Sequence, residues 1–252
     1  MLKKRVISGI IMIPLPMIAI FLGNPFLAVM GAVIGAVMAW EWQNMIENKC
    51  DVYAVSVASV ASITSILAFN YSLEAVIITI LASIFYAFSS CQEHKKLKVW
   101  GFLYISLPLV ALIWLREESG YAFIFWILGV VLGTDIGGYI FGCSIGGPLL
   151  LPSISPKKTW AGLVGGMIMA SFAGLIYAQL MSENLVLFAV CSAVLAIVSQ
   201  VGDFFESGIK RKLNIKDSSN LIPGHGGVFA RIDGLLLVAP LVALFYLIKG
   251  FY

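Results

Sequence analysis

The chain has 252 residues, a formal net charge of +3, 60% hydrophobic and only 12% charged residues, and a mean hydropathy of +0.98. These values exclude an ordinary soluble domain, and the few basic residues form no nucleic-acid recognition motif. A helix needs about 20 apolar residues to cross a bilayer, and runs of that order lie at 5–23, 25–41, 52–70, 72–90, 99–115, 121–143, 160–181, 184–205 and 231–249. The first carries Pro14 and Pro16 and lacks a small-x-small cleavage site, so it reads as a retained helix and not a cleaved signal peptide.

Charge placement tests this count of nine. With the N-terminus in the cytoplasm and nine crossings, Lys3, Lys4, Arg5, Lys49, Lys95, Lys96, Lys98, Lys157, Lys158, Lys210, Arg211, Lys212, Lys216 and Arg231 all fall inside. Only Arg116 and Lys249 fall outside, a bias of the sign that orients membrane proteins. The expected fold is therefore an all-α polytopic membrane bundle of about nine spans, N-terminus in and C-terminus out, because helices satisfy their own backbone groups in lipid.

Two regions differ in kind. Residues 1–120, about five spans, hold plain apolar helices in which Gly31-x-x-x-Gly35 suits close packing. Glu41 and Glu74 read as helix-end acids within reach of water and receive no role; His94 sits in a lysine-rich loop and is expected to be solvated. The four cysteines (Cys50, Cys91, Cys143, Cys191) have no ligand spacing and read as unpaired thiols. Small-residue faces leave room for a homodimer.

Residues 121–252, about four spans, carry the chemistry. Asp135, Asp203, Glu206 and Asp233 lie within or against apolar helices, where an acid costs about 2.5–3.5 kcal/mol at the bilayer centre. Gly129, Gly133 and Gly137 line one face of the sixth span and admit another backbone or a ligand. Asp135 lies roughly 12 Å from the cytoplasmic end of its span at 1.5 Å per residue. Asp203 ends the eighth span and Asp233 opens the ninth, so all three acids lie toward the same membrane face. Asp203, Glu206 and Lys210 share a helical face, as an ion-pair network or as part of a cation site.

Two polar segments could handle phosphate. In the loop 142–165, Ser155, Lys157, Lys158 and Thr159 offer hydroxyls and two cations just before the seventh helix, whose N-terminus favours anions. Between Ser207 and Asp233 lie five of the sixteen basic residues, one of the two histidines and a Gly-Gly pair. A hard cation such as Mg²⁺ takes carboxylate oxygens and completes its shell with substrate phosphates. A transporter would be expected to show midplane charges and duplicated halves, and a structural protein leaves the polar segment without a purpose.

The motif Ser207-x-Ile209-Lys210-Arg211-x4-Lys216-Asp217-x-Ser219-x2-Ile222-Pro223-x-His225-Gly226-Gly227-Val228-x-x-Arg231-Ile232-Asp233 closely resembles the signature of phosphatidate cytidylyltransferases, the CDP-diacylglycerol synthases. The segments Asp135–Tyr139 and Pro152–Trp160 resemble that family's other blocks, so the likeness covers the whole chain. It implies transfer of CMP from CTP to phosphatidate in the cell inner membrane, with the site facing the cytoplasm and Mg²⁺, with room for a second divalent or a monovalent cation. It also implies metal binding by Asp203 and Asp233, with Asp217 a weaker contributor. Asp203, Asp233, Lys210 and Arg231 would be catalytic. Substrate binding would fall to Asp135, Ser155, Lys157, Lys158, Thr159, Arg211, Lys216, His225, Gly226 and Gly227. Transfer to another lipid phosphate and CTP-dependent lipid phosphorylation remain alternatives. The chain departs from the family motif at Ala230, where an aspartate is expected, which implies an impaired site. Ala161, where many relatives carry glutamate, is a lesser departure.

Overall fold

The structure, a computed structural model, describes residues 14–47, 95–215, 217–219, 221 and 226–249. The expected spans at 52–70 and 72–90, and the start of the first, lie outside these residues. The elements are α1 (Pro14–Leu22), α2 (Phe26–Glu47), α3 (Lys95–Ser144), a hairpin of β1 (Leu149–Leu151) and β2 (Ser155–Thr159), then α4 (Trp160–Met181), α5 (Leu185–Lys212) and α6 (Phe229–Lys249).

Among the described residues five helices are long and apolar enough to cross a membrane, namely α2 to α6. The all-helical membrane architecture read from hydropathy is therefore present. α3 covers two expected spans and is broken at Gly120, whose φ of 81° and ψ of 174° no helical residue adopts. Each part is long enough for a crossing of about 20 residues. Leu180, Val186, Ile176 and Ile248 are among many large apolar side chains left on the outside of the bundle, as a lipid-facing surface requires.

The glycine stripe serves packing. A Cβ on Gly137 would come within 2.3 Å of the Gly165 carbonyl oxygen, and one on Gly133 within 3.1 Å of the Met169 carbonyl oxygen. As the stripe advances along α3 its partners recede along α4, so the two helices run antiparallel at near-backbone contact. The partner of this face is thus a neighbouring backbone. α4 starts on Thr159, whose Oγ1 accepts from the Gly162 N–H at 3.1 Å. α5 starts on Asn184, whose Oδ1 accepts from the Leu187 N–H at 2.9 Å.

α5 continues past the apolar run ending at 205 to Lys212, with Lys210, Arg211 and Lys212 in its last turn, where cations oppose the helix dipole. The polar stretch after Ser207 is therefore helical as far as Lys212. The Ser155–Thr159 segment, expected as loop, is the second strand of an antiparallel hairpin in which Leu149 pairs with Thr159 and Leu151 with Ser155. One apolar core joins Ile20, Val110, Ile127, Ala170, Ala196 and Val238. A second, under the polar end, joins Met38, Trp42, Phe102, Ile105, Phe229 and Leu236.

Candidate active site

Two small residues bring the acids together. A Cβ on Gly202 would sit 2.6 Å from the Asp233 carbonyl oxygen, and one on Gly234 would sit 2.3 Å from Ser199 Oγ. α5 and α6 can therefore touch backbone to backbone at the residues adjoining Asp203 and Asp233. The result is a cluster in which one carboxylate oxygen from each of Asp203, Glu206 and Asp233 lies within 4.8 Å of the others. Such an all-oxygen, anionic donor set on two closely packed helices fits a hard divalent cation and lacks the thiolate or imidazole ligands that softer metals prefer.

Cations balance the cluster unevenly. Lys158, delivered from β2, forms an ion pair with Asp203. Its Nζ also donates to Gln200 Oε1 at 2.9 Å and lies 4.8 Å from the centre of the Phe204 ring. Lys210 meets Glu206 at 2.5 Å, one turn along α5, and Ser207 Oγ donates to Asp203 Oδ1 at 3.2 Å. Asp233 Oδ1 accepts from the Gly234 N–H at 2.7 Å.

Beside the cluster is a cavity of about 300 Å³ whose lining includes Asp135, Tyr139, Lys157, Lys158, Thr159 and Asp203. The structure thus gathers Asp135, Lys157, Lys158 and Thr159 around one space with Asp203. The Thr159 hydroxyl oxygen is also engaged as the α4 cap. Across α5 a second, mainly apolar groove of about 410 Å³ runs past Trp100, Phe205 and Ile209 to Lys212.

Other expected site residues are more peripheral. Arg211 is exposed and its Nε donates to the Ile154 carbonyl at 3.4 Å, tying α5 to the hairpin. Ser155 sits at the start of β2. Asp217 is exposed, with Oδ1 3.9 Å from where a Gly226 Cβ would stand, and does not join the three-acid cluster. Arg231 lies exposed on the first turns of α6. Lys216 and His225 lie outside the described residues. Ala230 stands three residues before Asp233 and so shares its side of α6.

Glu41 is where the sequence reading fails. It is fully buried within α2, not a solvated helix-end acid, and its carboxylate accepts hydrogen bonds from Ser219 Oγ, the Val228 N–H and the Phe229 N–H. The one signal was an acid between Trp40 and Trp42 in an apolar run, which is costly unless it has partners. Tyr104 was also missed. Its ring packs 5.0 Å from that of Phe205, and its buried hydroxyl has no hydrogen-bond partner among the described residues.

Residues 3–249 match the Cytidylyltransferase family. The chain belongs to that family. It is 31% identical over 260 residues to a phosphatidate cytidylyltransferase of Brucella suis, covering 97% of this chain and 93% of the relative. The corresponding protein of Pseudomonas aeruginosa is 30% identical with 96% of each chain covered, and that of Rickettsia bellii is 29% identical over all of this chain and 92% of its own. The resemblance read from the motifs is borne out, and the polar end of this cytidylyltransferase-family bundle is the place to look for its chemistry.

Proposed function

We propose that the chain is a CTP:phosphatidate cytidylyltransferase, forming CDP-diacylglycerol and pyrophosphate at the cytoplasmic face of the cell inner membrane. The observation that carries this reading is the convergence of Asp203, Glu206 and Asp233 within 4.8 Å beside a cavity lined by Lys157 and Lys158. The relatives named above as phosphatidate cytidylyltransferases support the choice of substrates. The distribution of lysine and arginine supports the cytoplasmic side.

In the proposed reaction a phosphate oxygen of phosphatidate bonds to the α-phosphorus of CTP. The bond from that phosphorus to the β-phosphate bridging oxygen breaks, and pyrophosphate leaves with the electron pair. The attacking oxygen is already anionic near neutral pH, so no strong general base is required. The work left to the chain is positioning and charge neutralisation. Asp203 and Asp233, with Glu206, would hold Mg²⁺, which when bound neutralises and orients phosphate oxygens. Lys157 and Lys158 would meet phosphates entering the cavity, with Asp135 on its wall. Lys210, in contact with Glu206, and Arg231, on the same turns of α6 as Asp233, would meet phosphates held at the acids. The apolar groove ending at Lys212 suits the acyl chains of a lipid whose headgroup is anionic.

Ala230 removes one carboxylate from the turn that carries Asp233, so this chain is proposed to be severely impaired as a catalyst. The test incubates Ala230→Asp with CTP labelled at the α-phosphate, phosphatidate and Mg²⁺ in detergent. The reading requires label in the lipid and release of unlabelled pyrophosphate. Transfer of a γ-phosphate label to lipid, with CDP released, would mean lipid phosphorylation instead.

A further inference from the structure

The first turn of a helix leaves its N–H groups without partners inside the helix, and an anion nearby is favoured. α6 carries no acid in its own first turn. The acceptor comes from α2, 187 and 188 residues earlier in the chain than the two donors. Glu41 Oε1 accepts from the Val228 N–H at 2.9 Å and from Ser219 Oγ at 2.5 Å, while Oε2 accepts from the Phe229 N–H at 2.8 Å. Both ends of the stretch 219–228 therefore meet on one buried carboxylate.

The neighbouring residues are built around this contact. A Cβ on Gly227 would lie 2.6 and 2.7 Å from the two Glu41 oxygens and 2.1 Å from Ser218 Oγ. Glycine at the second position of the Gly226-Gly227 pair is thus what admits the carboxylate. Trp42, next to Glu41, packs its ring 5.4 Å from Phe229, and Tyr104 packs 5.7 Å from the same ring. Trp42 is itself held by its Nε1–H donating to the Leu97 carbonyl at 3.1 Å. α2 grips the start of α6 by backbone and by side chain together, and Asp233 follows one turn beyond Phe229.

We propose that Glu41 is a positioning residue for the site. Its carboxylate clamps Ser219 and the first turn of α6, and so sets where Arg231 and Asp233 stand relative to Asp203. The consequence for turnover rests on the functional reading above. The clamp itself can be read without catalysis.

The test combines hydrogen exchange with kinetics on Glu41→Gln, Glu41→Asp and Gly227→Ala. Gln keeps the shape but replaces one acceptor by a donor that faces an N–H. Exchange of the Val228 and Phe229 amides is expected to rise about tenfold or more in Glu41→Gln, with α4, α5 and the later turns of α6 unchanged, because only a local opening free energy is altered. Glu41→Asp should restore part of the protection. Gly227→Ala should resemble Glu41→Gln, and the double variant should be no worse than either single one, because both break the same contact. In the Ala230→Asp background, Glu41→Gln should lower kcat by about 100-fold, as for a displacement near 1 Å, and raise the half-saturating Mg²⁺, while the KM for CTP changes little.

Parental exchange at Val228 and Phe229 in Glu41→Gln would overturn the clamp. A uniform rise across all helices would overturn it too, by making Glu41 a general fold residue. A loosened segment with unchanged kcat and Mg²⁺ dependence would overturn the positioning role. If neither the parent nor Ala230→Asp turns over CTP, the functional reading fails, and the exchange data alone decide the clamp.

Discussion

Replacing Gly202 with alanine tests whether helix contact sets the site. The added methyl would meet the Asp233 carbonyl oxygen at 2.6 Å, where ordinary contact begins at 3.4 Å, so α5 and α6 must part by about 0.8 Å at the acids. The partner atom is backbone and cannot rotate away. Overpacking of this kind costs about 1–3 kcal/mol, while alanine in a helix returns about 1 kcal/mol relative to glycine. The net loss of about 0–2 kcal/mol should lower the unfolding temperature in detergent by only a few degrees. A shift near 1 Å between catalytic groups costs about 100-fold in rate. Gly202→Ala in the Ala230→Asp background should therefore remain folded and lose about two orders of magnitude in CTP-dependent turnover, measured as pyrophosphate release. Turnover within a factor of about three of the background would refute the argument that this contact sets the acid geometry. A loss matched by the unfolded fraction would do the same.

Two further outcomes follow from individual contacts. Lys158 competes with any cation for Asp203, so Lys158→Met should enlarge the rise in unfolding temperature that Mg²⁺ produces while lowering turnover; an unchanged Mg²⁺ response would remove Lys158 from the site. Thr159→Ala removes the α4 cap and should cost about 0.5–2 kcal/mol, seen as faster amide exchange at Gly162, whereas unaltered exchange there would show that the cap contributes nothing.

Much of this was legible in the amino-acid sequence, because hydropathy in a bilayer is a strong constraint. The apolar runs at 160–181 and 231–249 mark α4 and α6 closely. Topology alone put Asp203 and Asp233 at one end, and the i, i+3, i+7 spacing placed Lys210 on the face of Glu206, where the ion pair forms. What escaped depends on contacts between distant segments. The partner of Lys158 is set by how the 149–159 hairpin folds onto α5. That hairpin has strands of three and five residues with Pro152 and Pro156, too short and broken for a periodic signal. The end of α5 was set too early because an apolar run marks membrane depth, and the charged last turns extend beyond it. Glu41 was misread because the distance along a helix says nothing about which loop returns to cover it. The glycine stripe showed close approach from sequence, but only the structure showed α4 as the partner.

The most direct test of the central claim is conversion of phosphatidate by CTP with Mg²⁺, measured side by side on the chain as it stands and on Ala230→Asp. The account predicts CDP-diacylglycerol and pyrophosphate from Ala230→Asp at a rate far above the parent. Equal rates in both would remove position 230 from the site, and folded Ala230→Asp protein that makes no CDP-diacylglycerol would contradict the proposed reaction itself.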